Sequence, residues 1–124
     1  MSLLLDTHTL LWWLAGERMT DAAIQAIQHT DALVCVSAAS IWEAEIKATV
    51  GKLRLDADLV EEVETEGFEP LGITLMHARR AGRLPAVHRD PFDRMLVAQA
   101  QAEGLTVVTR DPVFDAYEVA VLGC

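Results

Sequence analysis

The residues best placed to do chemistry in this chain are carboxylates at the ends of structural elements. Asp90 and Asp93 lie in the stretch HRDPFDRMLVAQAQAEG, residues 88–104. Asp90 reads as a helix N-cap, because its carboxylate can accept an orphan N–H of the first turn. Pro91 takes the first helical position, where its missing donor costs nothing. Asp93 falls three residues after the cap, in the place of a capping-box acid. Met95 to Ala98, with Ala100 and Ala102, make the helix apolar nearly all round, so it should be buried, and Gly104 closes it. Capping and complement to the helix dipole explain such a pair of acids on their own. The placement of the other acids decides whether they do more.

Asp6 follows an apolar run over residues 2–5, the length of a buried strand. Ligands of open α/β sheets bind beyond the carboxyl ends of strands. An acid there reads as a metal ligand or nucleophile, or as the cap of the helix expected over residues 9–15. Asp111 repeats the placement after a β-branched strand expected over 105–108, and it reads equally as a turn-initiating Asp-Pro. Glu43 falls on a helix capped by Ser37 or Ser40 and running through Val50 to Gly51. On that helix Ala39, Trp42, Ile46 and Val50 make the stripe expected to face the core. Glu43 lies beside the stripe, four residues before Lys47, the spacing of an exposed ion pair. Glu45 reads as surface.

The elements that must position these acids can be read in outline. A helix over 20–29 is capped by Thr20, with Ile24 and Ile27 inward, and a buried strand over 32–36 contains Cys35. An acidic helix over 56–66 turns Leu59 and Val63 inward, and a short strand follows over 68–71. Thr74 caps a helix through Arg80, a loop over 82–88 holds Pro85, and a last strand covers 117–122. Trp12 and Trp13 are adjacent, so one should be core and the other available to a partner. The alternation predicts an α/β fold: a mainly parallel sheet of four to five short strands with helices on both faces. Asp6 and Asp111 then share one sheet edge. No strand precedes the Asp90 helix, so topology alone starts it on the opposite side from those two.

The 124 residues make one domain, 1–124. No charge-free run approaches the roughly 18 residues of a membrane span, and the N-terminus carries no signal-peptide pattern. Two cysteines are too few for a disulfide framework and fit a reducing, cytoplasmic setting. The net charge of −9 opposes broad electrostatic binding to nucleic acid, although a carboxylate site that holds a metal adds to the same sum. Arg79, Arg80, Arg83, Arg89 and Arg94 fall in one short segment, either as a phosphate-attracting patch or as solvated side chains. The four histidines are not spaced as a zinc site, and His8 and His88 are expected to pack or hydrogen-bond.

Three stretches, in order, resemble one family. LLLDTHTLLWWL is similar to the opening strand, acid and helix of PIN-domain ribonucleases, and in particular of the VapC toxins of bacterial toxin–antitoxin pairs. SAASIWEAEIKATVGKL resembles their helix with a glutamate after tryptophan. LPAVHRDPFDRMLVAQAQAEGLTVVTRD resembles their acid, buried helix, strand and final acid. The resemblance implies a three-layer PIN-like fold and hydrolysis of RNA phosphodiesters. It implies an acidic site at Asp6, Glu43, Asp93 and Asp111, with Asp90 as an accessory and Thr109 at the small polar position after the last strand. Arg94, on the turn of Asp93, would contact phosphate or form a surface ion pair. The implied partners are an RNA substrate, a VapB-like antitoxin and a second copy of the chain.

Clustered carboxylates support the metal that this family would use. Two unit charges about 4 Å apart repel by roughly 4 kcal/mol at an effective dielectric of 20, against the roughly 5–15 kcal/mol that a domain has in hand. Protonation or a hard cation relieves them, and Mg²⁺ (or Mn²⁺) suits an oxygen-rich site. A haloacid-dehalogenase-like phosphatase would need a second Asp where His8 stands, and a response receiver would need paired acids after the first strand. The remaining alternative is a non-catalytic PIN-like binding module whose acids only cap helices.

Overall fold

The computed structural model describes residues 1–29, 31 and 33–124. Among these residues, five short strands form one sheet: β1 (Leu3–Leu5), β2 (Val34–Ser37), β3 (Glu69–Leu71), β4 (Thr106–Thr109) and β5 (Val121–Gly123). Their order is β3-β2-β1-β4-β5, and every pairing is parallel. The central strand is wholly apolar because both its faces are covered. Leu3 and Leu5 point to one face, and Leu4 points to the other.

Among the described residues, six α-helices cover the two faces: α1 (Thr7–Ala15), α2 (Asp21–Gln28), α3 (Ala38–Thr49), α4 (Leu59–Thr65), α5 (Leu75–Arg83) and α6 (Pro91–Glu103). Leu10, Ala23, Ile27 and Val63 bring α1, α2 and α4 onto Leu3, Leu5, Val36 and Val108. Leu96, Val97 and Ala100 of α6 pack on Leu4, Cys35 and Val107 from the other side. This is the three-layer α/β arrangement expected, with all of the strands parallel. Both cysteines are buried free thiols, and burial, then the charges of Glu69 and Glu103, push the Cys35 thiol up. No helix among the described residues is long and apolar enough to cross a membrane.

Local signals set most element ends where expected. Thr20, Thr74 and Asp90 cap their helices, and Gly16 and Gly104 take the left-handed conformation that ends α1 and α6. Helix α1 begins at Thr7, not Thr9, and α4 begins at Leu59, not Asp56, because Asp58 accepts from the N–H groups of Val60 and Glu61 as its cap. Ser37, not Ser40, caps α3. Helix α5 runs on to Arg83, so Gly82 is helical, and the last strand shrinks to Val121–Gly123 because Tyr117 ends a 3-10 turn over Pro112–Ala116. The expected start of β2 at Ala32 lies outside the described residues.

Two expectations fail at α3 and α6. The buried side of α3 is Ala39, Ser40, Glu43 and Ala44, whereas Trp42 is 62% exposed and Val50 60%. Small side chains let α3 approach α1 closely, and the bulky stripe stays outside. Helix α6 runs antiparallel to the strand it feeds, so it begins on the carboxyl edge with no strand needed before it. Gln99, midway along it, is bonded to Ser37 at the end of β2 (2.6 Å) and to the carbonyl of Gly72 just past β3 (3.3 Å). Asp93, six residues earlier at about 1.5 Å per residue, therefore stands roughly 9 Å beyond that edge.

Candidate functional site

Asp6 leaves β1 and caps α1. Its Oδ1 accepts from the N–H of Thr9 (2.7 Å) and its Oδ2 from the hydroxyl of Thr109. The cap and the candidate ligand are thus one side chain, 6% exposed. Thr109 ends β4, and its oxygen also accepts from the N–H of Asp111 (3.0 Å). One threonine thereby ties the acids that follow β1 and β4. The Asp111 carboxylate itself is exposed and caps the 3-10 turn through the N–H of Val113 (2.9 Å).

Glu43 reaches the same edge from α3. Its Oε1 accepts from the hydroxyl of Thr7 (2.7 Å), and its Oε2 pairs with Lys47 Nζ (2.7 Å). The ion pair foreseen from the spacing therefore exists, but its carboxylate is buried. Ser40 Oγ stands 3.1 Å from the Thr7 hydroxyl. Thr7 carried no signal in the sequence beyond its place after Asp6; its role appears only when α1 meets α3.

Asp93 stands at the start of α6 with different neighbours. Its Oδ2 lies 2.9 Å from His88 Nε2, while Asp90 Oδ1 accepts from the N–H groups of Phe92 (2.8 Å) and Asp93 (3.1 Å). Burial first, then the charges of Asp90 and Glu43, push the Asp93 carboxyl up to about 6 against the pull of His88. The effect of Glu43 shows that the α3 and α6 acids share one field. Trp42 and Phe92, edge to face at 5.1 Å, clamp the two helices beside them.

Ligating atoms of His88, Asp90 and Asp93 lie within 4.8 Å of one another, which is the one such group of three among the described residues. The four acids implied by the family thus fall in two parts: Asp6 and Asp111 joined through Thr109 with Glu43 beside them, and Asp93 grouped with Asp90 and His88. The expectation for His88 holds in part, since it does hydrogen-bond, yet it also completes this group. His8 stacks on Trp12 at 5.8 Å. Arg94 forms no ion pair among the described residues. Its Nη atoms donate to the carbonyls of Ala81, Leu84, Pro85 and His88, which fixes the loop over residues 84–88 against α6.

Parallel strands ending in acids, with a helix that begins in acids above them, are matched by the PIN domain family model over residues 3–120. This chain belongs to the PIN domain family. No curated protein matches it. Solved structures share the fold of this PIN domain at low identity. VapBC2 from Rickettsia felis, bound to a DNA fragment from its promoter, has a TM-score of 0.72 at 13% identity, covering 99% of this chain and 98% of that one. DNA-bound VapBC from Salmonella typhimurium gives 0.69 at 18%, covering 99% and 98%. A toxin–antitoxin complex from Klebsiella pneumoniae gives 0.68 at 21%, covering 98% and 96%.

Proposed function

We propose that this PIN domain is a divalent-metal-dependent endoribonuclease and the toxin of a toxin–antitoxin pair. The observation that carries the reading is Asp93. A half-buried carboxyl facing two further acids, and held up to about 6, marks a place short of positive charge. Carboxylate oxygens with one imidazole are a donor set that Mg²⁺ or Mn²⁺ accepts. Asp93, Asp90 and His88 would hold such an ion, with Asp6, Glu43 and Asp111 across the edge as further ligands or as holders of its waters. When bound, a divalent ion supplies Lewis acidity toward a phosphodiester and lowers the pKa of water.

The remaining work belongs to the chain. Thr109 and the Thr9 N–H fix Asp6, and Thr7 and Lys47 fix Glu43, so neither carboxylate reorganises when a substrate arrives. In the reaction, water adds at phosphorus in line, the bond to the 3′-oxygen breaks, and that oxygen leaves with a proton. Glu43 and Asp111 are placed to orient the water. Asp93 at Oδ2 and His88 at Nε2 share a hydrogen bond across which a proton can be held.

The toxin role rests on the kinship of fold with the toxin of VapBC complexes. A small VapB-like antitoxin would cover the acid edge, and a second copy would use exposed apolar side chains for a homodimer. Those side chains are Trp42, Ile46, Val50 and Val60, since Trp12 and Trp13 are both half-buried. An RNA substrate implies a cytoplasmic site of action.

The test is cleavage of a pool of structured RNAs by purified protein with Mn²⁺, with EDTA, and with Asp93→Asn in parallel. Cutting that needs metal and is absent from the variant is expected. No cutting, together with calorimetry that detects no Mn²⁺ binding, returns the chain to a non-catalytic PIN-like binding module.

A further inference from the structure

Three of the clustered arginines do not serve the acid edge. Arg79, Arg80 and Arg83 of α5 line a groove of about 700 Å³ whose opposite side includes Tyr117 and Glu118. In a chain with 19 acids, none of the three forms an ion pair among the described residues. Among the described residues Arg79 donates to Met76 Sδ (3.3 Å) and Arg80 to Gln101 Oε1 (3.4 Å). The groove thus gathers positive charge and offers Glu118 as the one carboxylate among the residues that line it. Guanidinium groups that are free of carboxylates suit phosphate, which they bind in a fork.

The groove approaches the acid edge along the chain at Pro85. Pro85 belongs to its wall, and the loop that contains Pro85 delivers His88 to the Asp90–Asp93 group three residues later. Arg94 pins both ends of that loop through the carbonyls of Leu84, Pro85 and His88. At no more than ~3.6 Å per residue, Pro85 and His88 are within ~11 Å of each other. A strand with its scissile phosphate at the acid edge could therefore reach the arginines within a few nucleotides.

We infer that the α5 groove carries the phosphodiester backbone of single-stranded RNA flanking the cleavage point, with Arg79, Arg80 and Arg83 as its phosphate contacts. The inference rests on the nuclease reading and names the path of its substrate. The short path from Pro85 in the groove to His88 at the acid edge favours this ligand over an acidic peptide. Because the chain as a whole repels polyanions, the local contacts carry the binding, and it should be steeply dependent on salt.

The test measures anisotropy of a labelled 12-nucleotide oligouridylate, in EDTA to prevent cutting, over a series of salt concentrations. Loss of two phosphate contacts in Arg80→Gln/Arg83→Gln should lower the slope of log K against log salt by about 1.4, at roughly 0.7 per contact on single strands. Affinity should fall at least fivefold, and Glu118→Gln should raise it. Lys52→Gln/Arg54→Gln makes the same change in net charge elsewhere. An equal loss in that control overturns the inference, because net charge alone would explain it. Wild-type protein that cuts RNA with Mn²⁺, beside a groove variant that binds as wild type, overturns the groove and spares the nuclease reading. Wild-type protein that neither binds nor cuts RNA overturns both. Arginine-dependent binding of a polyglutamate peptide without RNA binding assigns the groove to an acidic protein partner instead.

Discussion

The acid edge of this PIN domain has two halves that treat negative charge differently. In one, Asp6 and Glu43 are 6% exposed, yet each has both carboxylate oxygens occupied by donors of the protein. In the other, Asp93 is less buried but shares its surroundings with Asp90 and Glu43 and has one imidazole for relief. Its carboxyl is pushed up to about 6. Burial alone therefore does not single out a reactive acid here; the balance of donors against charge does. The satisfied half is built to stay as it is, and the unsatisfied half is where a cation gains most.

Substitutions in each half should break that comparison in different ways. Asp93→Asn has the largest expected effect, a fall in metal-dependent RNA cleavage of a hundredfold or more, about 2.7 kcal/mol of barrier. The fold should persist, because Asn can still meet His88. Cleavage at the wild-type rate would refute the assignment. Next comes Mn²⁺ itself. At about 100 times its dissociation constant the ion should stabilise the wild type by roughly 2.7 kcal/mol, read as a rise in Tm. The rise should vanish in Asp90→Asn/Asp93→Asn, and a rise that survives would move the ion to the other half.

Glu43→Ala sharpens the contrast from the satisfied side. It strands the Thr7 hydroxyl and Lys47, so urea unfolding without metal should show a loss of about 1–3 kcal/mol. The same removal at Asp93 should cost little without metal. Equal losses at both positions would mean that the two halves are not electrostatically distinct.

The sequence carried what is local and was silent on what is between elements. Thr20, Thr74, Asp90 and Gly104 mark helix ends through bonds to their own neighbours, so their positions could be read directly. Asp6 was legible as an acid after a strand, and it proves to be cap and site residue at once. The face of α3 was misread, because apolar spacing favours Trp42, Ile46 and Val50, while burial follows the small Ala39, Ser40 and Ala44 that admit close packing. Glu43 is buried by that packing and by Thr7, a partner 36 residues away that no spacing indicates. His77 and Gln99, both buried and linked to Glu103 and Ser37, likewise left no periodic trace. Arg94 shows the converse: its charge suggested phosphate, and its four carbonyl partners made it a brace.

The smallest effect tests the electrostatic contrast without catalysis. A carboxyl raised from 3.8 to about 6 binds a proton more tightly in the folded chain than in the unfolded one. Its contribution therefore favours folding fully below pH ~4, fades as pH rises through about 6, and is absent above. The shift corresponds to about 3 kcal/mol at 1.36 kcal/mol per unit, and partial solvent access reduces this to about 1–2 kcal/mol. Asp93→Asn removes the titration. In EDTA, the stability of the variant relative to wild type should rise by that amount between pH 4 and pH 7, a difference of several degrees in Tm. A flat Asp93→Asn difference would mean that the Asp93 carboxyl is not held up by its surroundings, and the unbalanced half would then have no claim on a cation.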